Sequence, residues 1–221
     1  MKNRQAMLLT VALMLLLAAA VPVAAQTGEP PYRLFLPAVL REFPAQYTLT
    51  ASADAFVFEA GPNTNTGSDP ALYIGNDQDE GSRLGILRSF VRFELPATSS
   101  YQVAKATLRL YYAGYADFPN TNRTLRILAS NGPWQENTVT WANQPPEGSY
   151  IYVTPINSSQ PFGYLEFDVT NRVRWWADGG GPNYGFMLLG PENADEDWSY
   201  RVFAARESDY PPQLVIDTVL P

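Results

Sequence analysis

Glu166 and Asp168 stand two residues apart in Leu165-Glu166-Phe167-Asp168-Val169, a spacing that raises paired-carboxylate chemistry. Glycoside hydrolysis needs two carboxyl groups across a cleft. On a strand these two would project from one face about 7 Å apart, as ordinary solvated residues also do. The rest of the catalytic repertoire is short. The chain has no histidine, which excludes a Ser-His-Asp triad, a histidine general base and ordinary zinc sites. It has no cysteine, so disulfides and thiolate nucleophiles are excluded too. Tyrosines and arginines form no convergent set, and the expectation is a protein that is not an enzyme. Two acidic runs supply hard oxygen ligands: Asn76-Asp77-Gln78-Asp79-Glu80 and Glu192-Asn193-Ala194-Asp195-Glu196-Asp197. Asp77, Asp79, Asp195 and Asp197 are the candidate ligands for a structural Ca²⁺. Neither run has the spaced glycine and distal glutamate of an EF-hand, and a solvated acidic loop is the simpler reading. No cofactor is required.

The elements that must carry these residues follow an N-terminal export signature. Lys2 and Arg4 precede the apolar run 7–21, and Val23-Ala24-Ala25 offers a small-residue cleavage site after Ala25. The run is shorter than the roughly 20 residues of a membrane span, so residues 1–25 are expected to be a signal peptide and the protein secreted, extracellular or cell-surface associated. Loss of Lys2 and Arg4 would make a chain at formal charge -7 more acidic still, with Lys105 its only lysine. That balance argues against nucleic acid as a partner. Residues 26–46 form a proline-rich connector, too rich in proline for a regular helix.

From Tyr47 to the end, short runs of aromatic, β-branched and aliphatic residues alternate with turn clusters. Strands are expected at 54–58, 71–74, 87–95, 104–112, 124–129, 138–141, 150–153, 164–169, 185–189, 200–205 and 213–219. In Ala106-Thr107-Leu108-Arg109-Leu110-Tyr111-Tyr112 the period is two, the mark of a strand with one buried face. One short helix is expected over 171–177, capped by Thr170, with Val173 and Trp176 on its buried face. Residues 47–221 thus read as one all-β domain, an antiparallel two-sheet β-sandwich of jelly-roll type with one short helix.

Several words in this order resemble the DNRLRE-type domain, carbohydrate-binding module family 96. They are Ala53-Asp54-Ala55-Phe56-Val57, Asn65-Thr66-Gly67-Ser68 and Arg88-Ser89-Phe90-Val91-Arg92-Phe93. Trp134-Gln135-Glu136-Asn137-Thr138-Val139-Thr140-Trp141, Asp168-Val169-Thr170-Asn171-Arg172-Val173 and Ala205-Arg206-Glu207 follow. Ala205 stands where the family often has serine. The resemblance implies a β-sandwich, an extracellular setting and polysaccharide binding; the expected partner is a polysaccharide or cell-surface glycan, and the chain is expected to be a monomer. It implies no catalytic mechanism. Asp54 and Glu136 lie within these words and suit turn bracing. Flat aromatic faces stack on pyranose rings. Trp134, Trp141 and Trp176 read as core, which leaves Trp175, Tyr111, Tyr115 and Phe118 as the candidate glycan contacts. The alternative is a structural or adhesive module of the cell envelope that binds protein.

Overall fold

Period-two alternation, interrupted at defined places, builds the domain. The computed structural model describes residues 46–78, 83–96, 102–116, 120–192 and 199–219. In chain order the strands are β1 (Gln46–Thr50), β2 (Ala53–Phe58), β3 (Ala71–Asp77), β4 (Gly85–Arg92), β5 (Gln102–Ala116) and β6 (Asn122–Ser130). They continue with β7 (Glu147–Asn157), β8 (Gly163–Asp168), β9 (Phe186–Leu189), β10 (Ser199–Ala204) and β11 (Gln213–Val219), and helix α1 (Thr170–Ala177) follows β8. The signal and nearly all of the connector lie outside the described residues. The domain starts within that connector, because Gln46 already pairs with Asp217.

Every strand pair is antiparallel. The ladder runs β1-β11-β5-β10-β3-β4-β9-β6-β7, with β8 added to β5 and β2 added to β4. Hydrogen bonding passes through β10 and β3 and joins the eleven described strands into one branched, curled ladder. The all-β expectation holds at that level.

Two apolar clusters explain which strands alternate and which do not. In β5, Leu108, Leu110 and Tyr112 are fully buried, while Thr107, Arg109 and Tyr111 stay partly exposed. β9 is buried on both faces: Phe186 and Leu188 enter the larger cluster, Met187 and Leu189 the smaller. The smaller cluster is closed over by Trp134 and Val139, with Trp141 packed against it. Here one expected strand fails. Residues 138–141 form a cap, in which the amides of Thr138 and Val139 both donate to the Gln135 carbonyl and a 3-10 turn follows at Trp141–Asn143. Their apolar side chains plug the sheet, so their hydrophobicity mimics a strand without its ladder.

The helix is where expected and buries Val173 and Trp176, the latter 5.1 Å from the Phe186 ring. Its cap differs. Thr170 lies inside the first turn, and its hydroxyl accepts the Ala106 amide of β5 at 2.9 Å. The free Thr170 amide instead donates to Asp168 Oδ1 at 2.9 Å. Arg174 ties the last turn to β5 by donating to the carbonyls of Val103 and Ala104, both at 3.1 Å.

Candidate functional site

The start of α1 meets β5 and β7 in an open groove of about 1000 Å³. Lys105 of β5, Tyr150 of β7, and Asp168, Asn171, Arg172 and Trp175 around the helix all line it. Trp175 is 43 % exposed and Tyr150 60 % exposed, high values for large rings. Adjacent helical positions point apart, so burial of Trp176 turns Trp175 outward. The indole is held in place. A Cβ on Gly180 or Gly181 would come within 2.2 or 2.1 Å of it, so only glycine lets the chain lie against the ring. The Arg172 guanidinium sits 5.0 Å from the ring centre and donates to Ser149 Oγ of β7.

A second aromatic group stands on the outer face of β5 and β8. Tyr111 is stacked on Tyr210 with ring centres 4.2 Å apart, and meets Tyr164 edge-on at 5.4 Å. Tyr164 OH donates to the Pro211 carbonyl at 3.0 Å and pins the segment that carries Tyr210. Arg109 lies over the Tyr164 ring at 4.5 Å, donates to Glu166 at 3.1 Å, and donates to Gln213 at 2.6 Å. Tyr210 remains half exposed.

Of the four aromatic residues expected to touch ligand, Trp175 lines the groove and Tyr111 belongs to the tyrosine group. Tyr115 joins neither. The pairing of β5 with β10 shifts register between Val202 and Phe203, and this places Tyr115 opposite the buried Arg201, its ring 5.9 Å from that guanidinium. The bulge changes the facing partners beyond Tyr112, while Tyr115 stays 37 % exposed. Phe118 lies outside the described residues. Tyr150, Tyr164, Tyr210 and Arg109 were not among the expected contacts. The outward phase of Tyr164 was readable from its alternation with Glu166 and Asp168, whereas no local signal marks Tyr210.

Glu166 and Asp168 do share the outer face of β8. Glu166 is engaged by Arg109, and hydrogen bonding from Thr170 holds the Asp168 carboxyl below the usual carboxylate range. A general acid needs the opposite shift. Of the candidate Ca²⁺ ligands, Asp77 is buried at the end of β3, and Asp79, Asp195 and Asp197 lie outside the described residues. Among the described residues no three acidic side chains gather as a metal site.

The most specific sequence words converge elsewhere, on a junction. Asp54 Oδ2 accepts the Arg206 amide at 2.8 Å, and Glu136 Oε1 accepts the Asp54 amide at 2.9 Å. Arg206 donates to both Glu136 oxygens at 3.0 and 2.9 Å. Asn65 Nδ2 donates to the carbonyls of Glu136 and Val139 at 2.7 and 2.8 Å. Asp54 and Glu136 therefore brace loops, as their types suggested. Burial is the main cause that pushes the Asp54 carboxyl up to about 7. The Arg206 amide opposes it, and the charges of Glu207 and Glu136 add to it.

A β scaffold that presents exposed rings and hydrogen-bonding side chains in an open groove has the geometry of a binding module. Residues 45–218 match carbohydrate-binding module family 96, and the chain belongs to that family. Such modules hold glycans and are generally non-catalytic. No curated protein matches the chain. Among the described residues no helix is long and apolar enough to cross a membrane.

Proposed function

We propose that the chain is a non-catalytic, exported module, a jelly-roll-type β-sandwich that binds a linear polysaccharide in the groove between β5, β7 and α1. The observation that carries this reading is the groove itself, with Trp175 and Tyr150 exposed beside Lys105, Asp168, Asn171 and Arg172 in a domain of a carbohydrate-binding family. Rings cover the apolar faces of pyranoses, and the charged and amide groups meet their hydroxyls. An open surface buries little of its ligand, so single-site affinity is weak.

The test is native affinity electrophoresis through gels containing hydroxyethylcellulose, xylan, galactomannan, pectin or alginate, each with EDTA and with added Ca²⁺. The wild-type protein is expected to be retarded by at least one polymer. Trp175→Ala is expected to weaken that retardation roughly tenfold, the loss of about one stacking contact. A fully retarded Trp175→Ala protein of unchanged melting temperature would move the site away from the groove. The EDTA arm reads the contribution of the acidic loops.

A further inference from the structure

The groove and the tyrosine group stand at two ends of one strand face. Tyr164, Glu166 and Asp168 alternate along β8 with the inward Leu165 and Phe167. The register sets them opposite Tyr111, Arg109 and Thr107 of β5. β11 continues the rows, with Gln213 beside Arg109, Val215 beside Thr107 and Asp217 beside Lys105. All of these side chains are partly or fully exposed. Asp168 and Lys105, at the far end of these rows, also line the groove.

From Tyr111 to Lys105 the face runs about 20 Å at the usual strand rise, long enough for several linked pyranose rings. Rings mark both ends, Tyr210 at one and Trp175 at the other. Between them stand hydrogen-bonding groups already cross-linked to one another. Arg109 is held by Glu166 and Gln213, and Asp217 by Gln46 Nε2 at 2.7 Å. Fixed side chains lose little freedom when a ligand arrives. Lys105 and Arg109 face Glu166, Asp168 and Asp217, so charge on the face nearly cancels.

We infer that this outer face is one continuous track, which holds a single linear polysaccharide chain along β5 and β8 from Tyr210 to Trp175. The inference rests on the carbohydrate-binding reading and extends it from one groove to a multi-unit site. Weak contacts then sum along the chain, and affinity depends on its length. A disaccharide satisfies one end only; a hexasaccharide engages both.

The experiment is calorimetric titration with purified di-, tetra- and hexasaccharides cut from whichever of the five gel polymers retards the protein most. Affinity is expected to rise at least about tenfold from the disaccharide to the hexasaccharide. Tyr210→Ala is expected to remove most of that gain. Glu166→Ala, an exposed change halfway along the face, is a second variant expected to reduce the gain without altering the melting temperature. Equal affinities across the series, or a full gain in both variants, would overturn the track and leave the groove reading standing. Absence of retardation by all five polymers would overturn both.

Discussion

Glu136→Ala is expected to destabilise the domain by about 3 kcal/mol, since it leaves a buried amide without an acceptor and a guanidinium without its main partner. Three segments meet at this carboxylate: the start of β2 through the Asp54 amide, the cap at 134–141 that carries Glu136, and Arg206 before β11; the Asn65 loop joins them through the Glu136 backbone carbonyl. Gly67 is packed so closely that a Cβ there would lie 2.2 Å from the Glu136 carbonyl oxygen. Asp54 is 1 % exposed, so its amide loses its acceptor in a largely buried setting. Glu207 also contacts Arg206 at 2.9 Å and offsets part of the loss on the cation. For a domain of this size the melting temperature should drop by about 10 °C. Glu136→Gln keeps an acceptor for the amide and weakens only the ion pair, so an intermediate value is expected. Urea unfolding of the three proteins at pH 7 measures both, and coincident midpoints would show that the junction does not hold the loops.

The second large effect is a dependence on pH with its origin at Asp54. In the folded protein its carboxyl titrates at about 7, against an ordinary 3.8. Between those values the folded chain keeps a proton that the unfolded chain has released. Stability from this group therefore falls as pH rises from about 4 to about 7, and the loss is complete above 7. The full difference corresponds to about 4 kcal/mol. Asp54→Asn cannot ionise, yet its side-chain oxygen can still accept the Arg206 amide. The variant is expected to match the wild type near pH 4 and to exceed it by about 4 kcal/mol at pH 8, a difference that already contains the attraction of the charged form to Arg206. Denaturation series at each pH from 4 to 8 for both proteins decide the matter. Parallel profiles would show that Asp54 is ionised throughout.

Much of the scaffold was legible because it is local. The outward Thr107, Arg109 and Tyr111 and the inward Leu108 and Leu110 follow directly from alternation, and β11 has the limits expected for it. Val173 and Trp176 share the buried side of α1 as their spacing requires, which in turn exposes Trp175. Where burial and backbone pairing part company, the pattern misleads. Val139 is buried as a plug over the β2–β4–β9–β6 surface, not as part of a ladder. Thr170 has the right type for a cap, but the neighbouring β5 amide competes for its oxygen.

By itself the sequence determined an all-β, antiparallel domain of about the observed strands, the turn-bracing types of Asp54 and Glu136, and the outward setting of Trp175 and Tyr111. Those features depend on neighbours a few residues apart, or on residue types with few alternatives. Tertiary structure alone decided which aromatic side chains stand together. Tyr111 meets Tyr210 from nearly a hundred positions away, and Tyr115, only four residues along the same strand, is sent elsewhere by a bulge that exists only in the pairing with β10. Strand register and bulges are set by partners remote in the chain, so the groove and the face beside it emerge only when the sheet closes.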